Sequence, residues 1–437
     1  MYIHTVRAGE TLYSIAQEYS ASVADLILFN GLTRVNRLAV GQSLAVLLPS
    51  LRHLVQRGDT LSSIAEKYGT SVRSVLRANP QLNGSSTIIP GSSLIIEFEG
   101  CCRWSFPVGG YAYPFIDLQL LNRTLPYLTS ITPFTYGFTP EGALIKPDDA
   151  AIRDAAAKLG VDCFMHLSSL NSQGLFDTSL SRGLLDDPSA QTVLISACIE
   201  QMQTVGFVGL DVDFEYLGAG YAEKYAHFLG MAREACNSAG FTLIAALAPK
   251  TSDGQRGELY EGHDYALIGN SCDFAFLMTY EWGYAYGPPM AVSPIPSVRR
   301  VLDYAVTRIP PEKLLLGIPN YGYDWPVPFI KGETVGQSVS NRTATELAVD
   351  NSAEIFYDTN SQAPYFFYRK EGALHEVWFE DARSIASKLD LVTEYGFAGA
   401  LYWNFDRPNS QNLSLLIFNA SEPDVPCRPC TDAAPQG

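Results

Sequence analysis

Short apolar runs alternate with amphipathic stretches through most of the chain. Apolar, β-branched runs are typical of buried strands, whereas apolar residues that recur every three or four positions are typical of helices. Helical patterns lie between most of the apolar runs, as at 190–205, 221–239 and 382–395. The predicted strands are 105–111, 129–136, 161–167, 207–215, 242–248, 273–280, 314–319 and 397–403. Strands that alternate with helices in this way predict the α/β class, with a parallel sheet closed into a (β/α)8 barrel.

One stretch of this region breaks the alternation. Residues 331–380 contain three aromatic-rich runs, which predict a small antiparallel sheet with turns at 359–361 and 370–372. We expect this stretch to be a small α+β insertion in a barrel domain of residues 105–425. A short linker is expected at 99–104. The tail at 426–437 is rich in proline, and we expect it to be loosely held.

The first hundred residues contain the same pattern twice. Residues 4–16 align with residues 53–65, and each copy ends in a glycine followed by a short apolar run. The spacing predicts strand, helix, helix, strand in each copy, with boundaries at 1–48 and 50–98. A threonine precedes the first helix of each copy and is a suitable N-cap.

Three carboxylates lie on one face of the strand predicted at 207–215. Residues two apart on a strand point to the same side, so Asp211, Asp213 and Glu215 project together. Burying like charges together is costly, so such a group indicates a functional site. Tyr and Trp residues follow the ends of other predicted strands, where barrels carry their functional groups. Aromatic rings stack on sugars and carboxylates transfer protons at glycosidic bonds, so the pattern indicates carbohydrate chemistry.

Charge and composition narrow the possible partners. The formal net charge of -16 argues against a nucleic-acid partner, which requires a basic face. No run of 18 or more apolar residues is present, so no membrane insertion is predicted. The first residues lack a basic region followed by an apolar stretch, so we expect no conventional signal peptide. The histidines show no metal-ligand spacing, so we expect no metal and no other cofactor, and we expect a monomer.

The repeated pattern closely resembles the LysM module, a family that binds glycans containing N-acetylglucosamine. The resemblance implies a groove between the loop before the first helix and the loop after the second. The residues that it assigns to this groove are Gly9, Thr11, Leu12 and Asn30 in the first copy and Gly58, Thr60, Leu61 and Asn79 in the second. A structural role stays open for them, because glycine can serve a turn and asparagine can end a helix.

The barrel region resembles glycoside hydrolase family 18. The family's Asp-x-x-Asp-x-Asp-x-Glu strand corresponds to residues 208–215 and its Met-x-Tyr-Asp motif to residues 278–281. In this family the N-acetyl group of the substrate is the nucleophile. The resemblance implies that Glu215 is the general acid and base, and that Asp213 steers the acetamido group. It gives Asp211 a tuning role and Tyr280 a hydrogen bond to the acetamido carbonyl. Further substrate contacts are implied for Met278, Glu281, Trp282, Tyr321 and Trp403.

Three places depart from the family pattern. Val208 replaces the leading Asp, Glu281 replaces the final Asp of the second motif, and residues 166–169 stand where Ser-x-Gly-Gly is expected. Two other interpretations of the acids stay open. Carboxylate oxygens also suit a calcium ion, and some members of the family are lectin-like binding proteins.

Two LysM-like copies before a family 18 barrel resemble the spore cortex-lytic N-acetylglucosaminidases of spore-forming bacteria. This resemblance implies hydrolysis of β-1,4 bonds after N-acetylglucosamine in peptidoglycan of the spore cortex, with the LysM copies anchoring the enzyme. It implies a location in the coat or cortex region of the spore, or in the cell wall. The alternatives are a chitinase and a non-catalytic glycan-binding protein of the spore coat.

Four cysteines flank the barrel region, as a Cys101-Cys102 pair and a Cys427-x-x-Cys430 pair. The first strand and the last helix of a closed barrel are neighbours, so one hypothesis is that these cysteines meet, with four free thiols as the alternative. The contact would be either a disulfide or a four-thiolate zinc site.

Overall fold

The structure is a computed structural model, and it describes residues 1–420 and 428–429. It contains two small N-terminal modules, a closed barrel, and a small sheet inserted near the open end of the barrel. Within the described residues, no helix is both long enough and apolar enough to cross a bilayer.

The first hundred residues fold into two modules with the predicted order of elements. The first module consists of β1 (Tyr2–Thr5), α1 (Leu12–Glu18), α2 (Val23–Asn30) and β2 (Ser43–Val46). The second module consists of β3 (Pro49–Leu54), α3 (Leu61–Tyr68), α4 (Val72–Ala78) and β4 (Ser93–Phe98). The two strands of each module pair antiparallel, so the βααβ prediction is confirmed for both copies.

The predicted caps begin the first helix of each module. The Thr11 side chain accepts a hydrogen bond from the Ser14 N–H, and the Ser14 side chain bonds back to the Thr11 N–H. Thr60 and Ser63 form the same capping box in the second module. Such caps satisfy N–H groups that a helix end otherwise leaves unpaired.

The rest of the chain supplies the barrel, its helices and the inserted sheet. The strands are β5 (Cys101–Cys102), β6 (Val108–Ala112), β7 (Ser130–Pro133), β8 (Gly137–Phe138), β9 (Leu144–Ile145), β10 (Asp162–Ser168), β11 (Gly209–Asp213), β12 (Thr242–Leu247), β13 (Phe274–Leu277), β14 (Leu314–Pro319), β15 (Gly322–Val327), β16 (Gln337–Val339), β17 (Phe356–Asp358), β18 (Ala363–Lys370), β19 (Ala373–Trp378), β20 (Gly399–Trp403) and β21 (Arg428–Pro429). The helices are α5 (Leu118–Thr124), α6 (Ala150–Lys158), α7 (Thr178–Asp186), α8 (Pro188–Val205), α9 (Ala222–Ser238), α10 (Glu258–Glu261), α11 (Tyr265–Ser271), α12 (Ile295–Ala305), α13 (Asn341–Asp350), α14 (Ala382–Tyr395) and α15 (Ser410–Leu416).

Eight parallel strands close the barrel in the order β6, β7, β10, β11, β12, β13, β14, β20, and β20 pairs with β6. Each lies within or overlaps a run that the sequence predicts as a strand. The predicted helices at 190–205, 221–239 and 382–395 are present as α8, α9 and α14. The (β/α)8 prediction is therefore confirmed, and the carboxyl ends of the strands share one mouth.

The inserted sheet has five strands, in the order β16-β15-β19-β18-β17. Its pairs are antiparallel, and the predicted turns at 359–361 and 370–372 connect consecutive strands. The sheet includes β15, so it begins earlier in the chain than the predicted stretch of 331–380. This early start places the sheet directly after barrel strand β14, at the mouth of the barrel.

Both modules pack against the barrel domain. In the first module, the Phe29 carbonyl accepts a hydrogen bond of 2.6 Å from Ser414 Oγ of α15. In the second, the Arg77 carbonyl accepts one of 2.7 Å from the Tyr127 hydroxyl. Phe29 belongs to the same apolar cluster as the barrel core, so the first module is continuous with it.

The cysteines before the barrel are disulfide-bonded. Cys101 and Cys102 form β5, which pairs in parallel with β21. Because disulfide sulfurs are not thiolate ligands, the zinc alternative is wrong for these two residues. The predicted partners, Cys427 and Cys430, lie outside the described residues. The free cysteines of the described chain are Cys163, Cys198, Cys236 and Cys272, all buried.

A buried ion pair connects α14 to the end of the inserted sheet. Lys388 Nζ lies 2.8 Å from Glu380 Oε2, and both side chains are 1% exposed. Removing one partner of such a pair leaves a buried charge uncompensated, at a cost of roughly 3–5 kcal/mol. We therefore expect Lys388→Ala to lower the free energy of unfolding in urea by about that amount.

The double variant Lys388→Met, Glu380→Leu is the matched control, because apolar side chains of similar size often replace a buried pair without loss. It should recover most of the stability. Equal losses in the single and double variants would contradict the assigned role of the pair.

Candidate active site

The carboxyl ends of the barrel strands surround a cavity of about 990 Å³. Its walls are largely aromatic, and three acidic residues line it: Asp213 and Glu215, from β11 and the residues that follow, and Glu281. Cavities of this size, lined by rings and a few polar groups, are typical of small-molecule and oligomer sites. The location matches the functional face of a (β/α)8 barrel.

The structure brings the three predicted acids together at this mouth. β11 ends at Asp213, so Glu215 lies two residues beyond the strand rather than within it. Asp211 is 1% exposed, whereas the Asp213 side chain is 12% exposed. The acids therefore form a row that leads from the barrel interior to the cavity.

Few donors compensate these carboxyl groups. The Tyr111 hydroxyl donates to Asp211 Oδ2 at 2.7 Å. Among the described residues, Asp211 Oδ1 and Asp213 Oδ1 are buried without a hydrogen-bond partner. A buried carboxylate that lacks donors is unfavourable, so the surroundings favour the protonated acids.

The pKa values follow from this burial. Burial raises the pKa of Asp211 to about 7, although the Tyr111 hydrogen bond acts in the opposite direction. Burial, and then the charges of Glu215 and Asp211, raise the pKa of Asp213 well above its usual range. Burial, and then the charge of Glu281, raise the pKa of Glu215 to about 7. Near neutral pH the row therefore retains protons, as a general acid requires.

A histidine of the neighbouring strand faces the same acids. His166 lies on β10 in register with Asp211, and its Nε2 is 3.8 Å from Asp213 Oδ2. Its Nδ1 lies 2.6 Å from Thr135 Oγ1. Burial lowers the pKa of His166 to about 3, so a neutral imidazole borders the acids. His166 lies where the Ser-x-Gly-Gly strand of the family is expected. The spacing of the histidines in the sequence did not indicate that one of them lies beside the acids.

The cavity wall that contains Glu281 is held in position by contacts with the inserted sheet. The Tyr321 hydroxyl donates to Glu281 Oε1, and the Tyr323 hydroxyl lies 3.1 and 3.2 Å from the two Glu281 oxygens. Glu281 has a φ of 66°, in the left-handed region that residues other than glycine rarely adopt. The sheet thus fixes the position of the carboxylate whose charge raises the pKa of Glu215.

The other predicted barrel residues also lie at this site. Trp403 packs at 4.8 Å from Phe134 and 5.4 Å from Tyr111, measured between ring centroids. Tyr321 is 7% exposed, and its hydroxyl holds the Glu281 carboxylate in place through a hydrogen bond. The predicted residues that line the cavity are Met278, Tyr280, Glu281, Trp282 and Trp403. Sequence reasoning missed Tyr111 and Phe134, although both lie at the carboxyl ends of strands that it predicted.

The predicted groove asparagines of the LysM modules are structural. Asn30 Nδ2 donates to the carbonyls of Leu26 and Ala45, and its Oδ1 accepts from the Ala45 N–H. Asn79 makes the same three hydrogen bonds in the second module. Both residues are buried and bind the second helix to the last strand. Direct glycan contact by these side chains does not fit their burial, and the structural alternative explains them.

The other residues predicted for the LysM groove differ in how far they are exposed to solvent. Leu12 and Leu61 are buried in the cores of their modules, so they shape the fold rather than its surface. The threonines cap helices with their side chains and still reach the surface. The exposed members are Gly9, Thr11, Gly58 and Thr60.

The fold and the site together define a glycoside hydrolase, a closed (β/α)8 barrel with proton-holding carboxyl groups in an aromatic cavity. The profile of the LysM domain matches residues 4–46 and 53–97. The profile of glycosyl hydrolases family 18 matches residues 161–407. The chain belongs to glycosyl hydrolases family 18 and carries two N-terminal LysM modules.

Two of the following three relatives align with almost the whole chain. The cortical fragment-lytic enzyme of Bacillus anthracis is 36% identical over 95% of this chain and 98% of its own length. The cortical fragment-lytic enzyme of Bacillus subtilis (strain 168) is 40% identical over 68% of this chain and 69% of its own. The crystal structure of the Bacillus cereus spore cortex-lytic enzyme SleL matches with a TM-score of 0.80 and 35% identity, over 96% of this chain and 97% of that one.

The effect of Glu281 on Glu215 is testable through pH dependence. The family resemblance predicts that Glu215 is the general acid, and an acid with a pKa of about 7 loses its proton, and with it the expected activity, as the pH rises through that value. Glu281→Gln removes a negative charge, so it should lower the pKa of Glu215 and move the alkaline limb of the kcat profile to lower pH. We expect activity at pH 7 to fall roughly two- to fivefold.

Turnover of a soluble N-acetylglucosamine oligomer between pH 4 and 9 checks this shift. Glu312→Gln removes the same charge from an exposed position away from the cavity and serves as control. An alkaline limb that stays in place in Glu281→Gln would show that the two carboxyl groups do not interact.

Proposed function

We propose that this protein hydrolyses β-1,4 bonds that follow N-acetylglucosamine in the peptidoglycan of the spore cortex. The observation that carries the proposal is Glu215, a carboxyl group with a pKa of about 7 in an aromatic cavity at the barrel mouth. The substrate is proposed from the cortex-lytic relatives, which align with both the modules and the barrel. The same similarity supports a location in the coat or cortex region of the spore.

Glu215 supplies the proton in the proposed reaction. Its carboxyl protonates the glycosidic oxygen as the bond to the anomeric carbon breaks, and the leaving sugar departs with that proton. The carbonyl oxygen of the substrate's own acetamido group forms the new bond to the anomeric carbon, which gives an oxazolinium ion. Water then attacks the same carbon and gives its proton back to Glu215. The two displacements retain the configuration at the anomeric carbon.

The residues around Glu215 bind and stabilise the positively charged oxazolinium ion. Asp213 lies beside Glu215 on the same side of the chain and accepts the acetamido N–H, so its charge stabilises the oxazolinium ion. Asp211 lies deeper in the row, and its pKa of about 7 makes it a suitable holder for the proton that Asp213 releases. The hydroxyl of Tyr280 points the acetamido carbonyl toward the anomeric carbon, while Trp403 forms the floor.

The LysM modules hold the enzyme on its polymer in this proposal. Family membership assigns them a glycan partner, and both are fastened to the barrel domain by hydrogen bonds. As part of the same proposal, the protein acts as a monomer.

The role of Glu215 is testable by a substitution that preserves its shape. Glu215→Gln cannot donate the proton, so we expect kcat to fall by about 10²–10⁴-fold while binding to the glycan persists. Release of reducing ends measures turnover, and co-sedimentation with insoluble peptidoglycan measures binding. Glu223→Gln, an exposed change on α9, is the matched control. Turnover by Glu215→Gln close to that of the unchanged protein would refute the assignment.

Mass spectrometry of the products identifies the bond and the polymer. Purified spore cortex, vegetative peptidoglycan and chitin oligomers are the three substrates to compare. We expect fragments that end in reducing N-acetylglucosamine, with cortex degraded fastest. Preference for chitin would establish the alternative chitinase, and absence of new reducing ends from all three would establish a binding-only protein.

A further inference from the structure

The loop that follows the second helix is used differently in the two modules. In the first module this loop, residues 31–42, lies against α13 of the inserted region. Arg34 donates to both carboxylate oxygens of Asp350, each at 2.9 Å. Arg37 Nη2 donates to the Val349 carbonyl at 3.0 Å. The loop is therefore an internal contact of the protein.

Two aligned positions of the repeat show the same contrast. A Cβ atom added to Gly41 would lie 1.8 Å from the Ile355 carbonyl oxygen, whereas one added to Gly91 would meet nothing within 4 Å. Two residues earlier in the repeat, Ala39 is 3% exposed and belongs to the apolar core of the inserted region. Its counterpart, Ile89, is 70% exposed. At these two positions the surface that is covered in the first module is open in the second, whereas Gly84, at the start of the second loop, lies against Asn122 of α5.

The open face has a chemistry that suits a neutral sugar polymer. Residues 83–92 carry no charged side chain. In the described part of the chain, their hydrogen bonds stay inside the second module. One of these bonds, from the Gly91 N–H to the Val55 carbonyl at 2.8 Å, holds this loop beside the loop before α3. Ile89 is an exposed apolar side chain next to Ile88 and Pro90, in a loop without charged residues, and such a surface fits the apolar face of a pyranose better than a charged partner.

We propose that the two LysM modules have different functions, and we call this difference the division between the modules. The second module binds the N-acetylglucosamine-containing strand on the uncharged surface of residues 85–92 around Ile89, which lies beside the loop of residues 55–60 with its charged Arg57 and Asp59. The first module is a brace that holds the inserted sheet, and with it the wall of the active site, against the barrel. This division rests on the proposed glycan substrate, and it concerns which surface captures the polymer rather than how the bond is cut.

Matched charge substitutions in the two loops test the division. Ile89→Asp places a charge on the open face of the second module, and Val35→Asp places one on an exposed apolar residue of the first loop, which is 42% exposed. Both are made in the full-length chain with Glu215→Gln, so that the polymer is not consumed. Co-sedimentation with insoluble peptidoglycan gives the dissociation constants, and chitin beads are the second probe.

We expect Ile89→Asp to weaken binding at least tenfold and Val35→Asp to change it less than twofold. Arg34→Ala with Arg37→Ala should lower the melting temperature without weakening binding, because these residues brace the insertion. Equal weakening by the two Asp variants, or none by Ile89→Asp, would overturn the division. If the chain with Glu215 intact binds peptidoglycan but releases no reducing ends, the proposed hydrolysis fails while the division is still decided by the binding data.

Discussion

The barrel is organised around the burial of acidic side chains on a single strand. Asp211 is almost completely enclosed, and Asp213 has little contact with solvent. Two carboxylate charges held this closely would destabilise the fold, and one hydroxyl donor is too little to offset them. Retention of protons solves the problem, because a neutral acid costs much less to bury. In the reaction that we propose, a glycosidic oxygen takes up one of these protons, so the constraint on folding coincides with the requirement of the proposed catalysis.

Residues on two sides of the acids favour their protonated forms. On one side His166 is a neutral ring, so it adds no positive charge that would draw the protons away. On the other side Glu281 adds a negative charge, which keeps the proton on Glu215. Glu281 owes its position to Tyr321 and to Tyr323, which lies on the first strand of the inserted sheet. The inserted sheet therefore affects the pKa of Glu215, the proposed general acid, although none of its atoms need touch the scissile bond.

The sequence predicted the parts of this arrangement that local patterns determine. Eight apolar runs marked the barrel strands, and the alternation at 207–215 placed three acids on one side. The pattern did not reveal contacts between distant residues. Tyr111 meets Asp211 across 100 positions of the chain, and Tyr323 meets Glu281 through a sheet whose first strand the sequence left outside the insertion. His166 has no informative spacing, because its partners come from neighbouring barrel strands rather than from its own.

The repeated modules show why a shared motif determines a fold more readily than a surface. The positions that the two copies share are those that hold the module together, such as the capping threonines and the buried pair Asn30 and Asn79. These positions stay the same whichever way a copy is used, since each satisfies backbone groups inside it. The positions that decide the use are those that differ. Arg34 and Arg37 give the first copy partners within the chain, whereas the uncharged loop of the second leaves Ile89 exposed. Divergence between repeats is therefore more informative about their functions than the motif that identifies them.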